Sequence, residues 1–121
     1  MSEPTEEQIK KFWGWCGWTQ KPLGKKGYHW ERGERVPNWN SPDDTGIKAE
    51  YGHDHLPPID LNNLFEWAVP KALRLLADKY KDTEDGARHF LFVSWVEGEY
   101  GIEAGYDDNL ALFWAIWEII E

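Results

Sequence analysis

Nine tryptophans in 121 residues, at positions 13, 15, 18, 30, 39, 67, 95, 114 and 117, constrain this chain more than any other feature, because each indole carries a large apolar surface that needs cover. They supply material for a packed core. Indole is neither acid, base nor nucleophile, and no strong catalytic motif stands beside it. The tryptophans therefore speak to fold and surface and name no reaction.

The apolar content of 41% suffices for one core without disulfide staples, so a single domain over residues 1–121 is expected, with an irregular, loop-rich insertion at about 18–58. The only cysteine, Cys16, has no internal partner, and the opening MSEPTE does not read as a secretory signal, which points to a reducing, cytoplasmic setting. No apolar run approaches the roughly 20 residues needed to span a bilayer, so no membrane role is expected. Thirteen basic and 22 acidic residues leave a net charge of −9. From Glu97 onward there are seven carboxylates and no Lys or Arg, a balance that disfavours direct binding of nucleic acid.

Thr5-Glu6-Glu7-Gln8 reads as a capping box, and Ile9, Phe12, Trp13 and Cys16 follow at the spacing of one helical face before Gly17, a left-handed stop. The first helix is predicted over about Glu6–Cys16. Periodicity is then lost. Tyr28-His29-Trp30-Glu31 alternates as a short strand would, while NWNSPDDTG, residues 38–46, reads as a mobile surface loop. After Pro57-Pro58, Asp60 is an N-cap for a long amphipathic helix running to about Tyr80, with a kink expected at Pro70.

Residues 88–106 thread as a hairpin with Gly98-Glu99 as a type II′ turn, pairing Trp95 with Ile102, Val93 with Ala104 and Leu91 with Tyr106. Its first strand would be apolar on both faces, as in a sheet covered from both sides. Asp107 or Asp108 then caps a final helix that is apolar nearly all round, to be buried in the core or in a homodimer interface. The expected class is α/β in the α+β sense: an antiparallel sheet sandwiched between helices, in the order α-β-α-β-β-α.

The stretches EEQIKKFWGWCG, PPIDLNNLFEWAVPKAL and DDNLALFWAIWEII together resemble the small uncharacterised phage and prophage proteins grouped as the phage ABA-sandwich domain. The resemblance covers most of the chain except its middle. It implies a sheet between helices and carries over no catalytic residues.

Candidate chemistry is sparse. His53-Asp54-His55 is the one local cluster of metal-capable side chains; alternate positions on an extended strand put His53 and His55 on one side, and Asp43, Asp44, His29 or Cys16 are available to join them. Glu97, Glu99, Glu103, Asp107 and Asp108 would be gathered by the hairpin without a cleft. Cys16 lies on an apolar helix face, where burial makes a thiol inert. The glycines of PLGKKGYHW match no phosphate-binding loop, and no cofactor is indicated.

Three readings of function result. The first is a non-enzymatic phage or prophage accessory protein acting through protein contacts, with Trp18, Trp30 and Trp39 as the expected exposed binding set. The second is a metal-binding protein or metal-dependent enzyme using His53 and His55. The third is an acidic decoy that binds a basic, nucleic-acid-handling host protein through Glu97, Glu99 and Glu103.

Overall fold

Helix α1 spans Glu6–Trp15, and its end is decided by Gly17, whose φ of 107° is open to glycine without strain. The Gly17 amide donates to the Gly14 carbonyl and the Trp18 amide to the Trp13 carbonyl, the bond pair of a Schellman cap. Phe12 and Trp13 on this helix have no exposed surface. The computed structural model describes residues 3–21, 27–43, 52–81 and 83–120. These divide into two compact units, Glu6–Pro57 and Pro58–Glu121 with residues 1–5, so the Pro57-Pro58 step is the boundary between them.

Among its described residues the first unit holds four short strands: β1, Thr19–Gln20; β2, Tyr28–Glu31; β3, Glu34–Pro37; and β4, Trp39–Asn40. β2 and β3 form a hairpin in which Glu31 pairs with Glu34, and Arg32 and Gly33 take φ values of 50° and 80°. Two left-handed residues make the turn whose twist matches a β-hairpin. β1 pairs antiparallel with β4. The loop expected at 38–46 is thus partly structured: Asn38 is buried and Trp39-Asn40 are paired, while Asp44–Gly46 lie outside the described residues.

In the second unit the Asp60 carboxylate accepts from the Asn63 amide at 2.8 Å and opens α2, Leu61–Asn63. A π turn over Leu64–Ala68 follows, and then α3, Val69–Tyr80. Pro70, the expected site of a kink, sits in the first turn of α3, directly after this wide turn. Proline has no amide to give the Glu66 carbonyl, and the Val69 amide reaches back to the Leu64 carbonyl instead, one residue beyond the α-helical partner.

The expected hairpin at 88–106 does not form. Residues Glu84–Glu97 are helix α4 and Ile102–Ala104 a single 3₁₀ turn, so Trp95, Val93 and Leu91 lie on a helix and not in register with Ile102, Ala104 and Tyr106. Local chemistry explains the outcome. The Thr83 hydroxyl caps the Gly86 amide at 3.1 Å, Glu84 and Asp85 sit in the first turn, and both pair with Arg88 one turn on. Gly98 has φ −67°, which is not the left-handed conformation a II′ turn requires; its amide donates to the Ser94 carbonyl and closes the helix.

Among the described residues of 58–121 there is no strand, so no sheet lies between these helices and the expected α-β-α-β-β-α order is replaced. Among the described residues helix outweighs strand, about 58% against 12%, and the α+β class itself holds. Helix α5, Asp108–Ile120, is capped by Asp107, whose carboxylate accepts from the Leu110 amide at 2.9 Å. Ala111 through Trp117 and Ile119 are all buried, so this stripe belongs to the core, while Leu110 and Ile120 are half-buried. Among the described residues, no helix is long and apolar enough to cross a membrane.

Candidate functional site

The second unit leaves an apolar groove of about 560 Å³, lined by Phe65, Val69 and Leu73 on the π turn and α3 and by Leu91, Phe92 and Trp95 on α4. Its origin is the α4 sequence. FLFVSWV carries apolar side chains all round a helix, whereas the neighbouring helices cover one stripe, with Ala87 and Leu91 buried. Phe92 remains 57% exposed and Phe65 48%, the latter with its ring 5.9 Å from that of Trp95. The Trp95 indole donates to the Asp108 carbonyl at 3.0 Å, so this wall of the groove is tied to the start of α5. On the other flank of α4, Phe90 and Tyr80 are also about half exposed, with centroids 5.9 Å apart.

Among the described residues, the charged side chain in the groove lining is Arg88, which is held by the exposed carboxylates of Glu84 and Asp85. Glu97, Glu99 and Glu103 are exposed at the end of α4 and in the turn beyond it, not gathered on a hairpin tip.

In the first unit, strand alternation places His29 and Glu31 on the same face of β2, and the His29 Nε2 lies 3.0 Å from the Glu31 Oε1. The His29 Nδ1 lies 2.7 Å from the side-chain oxygen of the buried Asn38. Both ring nitrogens therefore face acceptors. The Glu31 hydrogen bond first and the Asn38 bond second raise the His29 pKa above its usual value, and the His29 bond lowers that of Glu31. His55 completes the group: its Nδ1 is 3.5 Å from the same carboxylate oxygen, and its ring meets His29 edge-on at 5.1 Å. These three side chains, with Trp39 and Asp54, border an open cleft of about 230 Å³.

The expected metal pair is divided. His53 exchanges backbone hydrogen bonds with Trp39, both at 2.7 Å, and its ring lies against Trp18 at 5.3 Å, while His55 turns to His29 and Glu31. An isolated bridge at His53, followed by bends at Asp54 and His55, breaks the alternation that would have kept them together. The overlooked signal was His29-Trp30-Glu31 on the predicted strand, where a period of two puts imidazole and carboxylate side by side.

The expected aromatic set is also divided. Trp18 is 6% exposed and belongs to the core, Trp39 is half-buried, and Trp30 is 64% exposed. On the face of β2 opposite His29, Trp30 packs edge-on to Tyr28, over which the Arg35 guanidinium sits at 4.8 Å. Cys16 is buried, Asp44 and the glycine-lysine stretch 22–26 lie outside the described residues, and Asp107 serves as a helix cap. Compared with known families, with curated proteins and with solved structures, the chain matches none of them.

Proposed function

We propose that the protein is an accessory protein that acts by binding another protein, and that the groove between the π turn with α3 and helix α4 receives an amphipathic helix with a basic flank. The observation that carries this reading is the apolar groove bordered by half-exposed Phe65 and Phe92. A groove between two packed helices suits the ridge of a third, which offers apolar anchors at i, i+3 and i+4. Among the described residues the charged side chain lining it is Arg88, already paired with Glu84 and Asp85, and the chain's net charge of −9 favours Lys and Arg on the incoming helix. The exposed carboxylates Glu97, Glu99 and Glu103 support a basic partner as well.

Titration of isotope-labelled protein with a synthetic helical peptide of leucine and lysine tests this. Chemical shifts are expected to move at Phe65, Leu73, Phe92 and the Trp95 indole. The decisive variant is Phe92→Asp. It makes the protein more acidic, so attraction by charge alone would strengthen binding, whereas docking in the groove requires binding to weaken. Strengthened binding, or shifts confined to residues outside the groove, would overturn the reading.

A further inference from the structure

Three donor atoms converge in the first unit without any role in the protein-binding reading. The ring nitrogens of His29 and His55 and an oxygen of Glu31 all lie within 4.8 Å of one another. Two of the separations, His29 Nε2 to Glu31 Oε1 at 3.0 Å and His55 Nδ1 to the same oxygen at 3.5 Å, bracket the spacing of ligands around a small tetrahedral ion. Metal–ligand bonds of 2.0–2.2 Å set that spacing at about 3.4 Å.

Two features distinguish this group from a chance cluster of surface charge. His29 has only 12% of its side chain exposed, and its Nδ1 is anchored on the oxygen of buried Asn38, so Nε2 is the nitrogen presented to the cleft. Metal-ligating histidines are held by this kind of outer contact, which sets the tautomer and ring orientation. The partners also differ in freedom. Glu31 and His55 are 47% and 72% exposed, so both can rotate to close on an ion while His29 stays in place.

We propose that His29, Glu31 and His55 form a binding site for a divalent transition-metal ion of the zinc type, with His29 Nε2, a Glu31 carboxylate oxygen and a His55 ring nitrogen as ligands. Two imidazoles and one carboxylate match the borderline softness of such ions and disfavour calcium and magnesium, which take oxygen ligands. Three protein ligands leave a fourth position to water or to a small ligand entering the cleft beside Trp39 and Asp54.

The test is calorimetric titration of Zn²⁺ into metal-stripped protein near pH 8, with Co²⁺ absorption as a spectroscopic check. One ion per chain is expected, together with a visible Co²⁺ band that Zn²⁺ abolishes. His55→Gln and Glu31→Gln, both exposed positions at which circular dichroism should report an unchanged fold, are each expected to weaken Zn²⁺ binding by about tenfold or more. His53→Gln should leave the affinity within a factor of about three. Absence of binding to the unmodified protein would overturn the proposal, as would equal affinity in the His55 and Glu31 variants. Loss in His53→Gln as large as in His55→Gln would return the site to the His53/His55 pair.

Discussion

The backbone amide of Leu61 donates to the side-chain oxygen of Asn109, 48 positions further along, at 2.9 Å. The bond joins the opening of α2 to the first turn of α5, and it gives one of the few polar residues of that apolar helix a specific purpose. Helix N-termini leave amides that need acceptors, and here the acceptor comes from a distant element instead of the local cap.

Replacing Asn109 with Ala is therefore expected to lower stability by about 1–2 kcal/mol, since the Leu61 amide is left without its partner in a half-buried setting. Asn109→Asp keeps an acceptor oxygen in place and should cost less. Urea denaturation midpoints of the two variants would check the ordering; equal losses would mean that the bond contributes nothing specific.

Gly101 makes a second, sterically defined prediction. A Cβ built there would lie 2.7 Å from the Val96 carbonyl oxygen and 2.9 Å from that of Trp95, both backbone atoms at the end of α4. Gly101→Ala is expected to destabilise by about 1–3 kcal/mol, by forcing the chain away from the helix terminus. Thermal denaturation measures it, and an unchanged melting temperature would argue that residues 98–101 do not turn back on α4.

The tryptophans should separate sharply by position. Trp13 is fully buried and Trp30 is 64% exposed, so Trp13→Ala should cost about 3–5 kcal/mol while Trp30→Ala stays near neutral. Chemical denaturation of the two variants side by side decides this. Comparable losses would place Trp30 in a contact that its exposure does not suggest.

The His29–Glu31 pair predicts a pH profile for the metal-free protein. The raised His29 pKa contributes stability that is fully present below the usual histidine value of 6.5 and is lost as pH rises through the folded value. The lowered Glu31 pKa contributes stability present above 4.5 and lost as pH falls through its folded value. Both contributions are complete between about pH 4.5 and 6.5. Melting temperature followed from pH 4 to 9 with a chelator present should show a gain in that window that His29→Gln removes. A profile identical in the variant would assign the pH dependence to other groups.

Local signals were legible where one turn of chain contains both partners. The Gly17 stop of α1, the Asp60 cap and the Tyr28–Glu31 strand each follow from residues within a few positions of one another. Residues 88–97 were not legible in that way. An apolar run of aromatic and β-branched residues fits a doubly covered strand and a helix alike, and periodicity does not separate them. The Thr83 cap and the Arg88 pairs with Glu84 and Asp85 lay just upstream, but their weight emerges only once α3 covers the Ala87–Leu91 stripe.

The site follows the same division. The sequence by itself determined the alternation that sets His29 beside Glu31, because a strand returns each side chain to its face every second residue. Only the tertiary structure decided that His55 joins them and that His53 turns to Trp18, since the bridge between His53 and Trp39 links segments 14 residues apart. Contacts across such separations depend on how the intervening chain folds back, and no local pattern encodes that path.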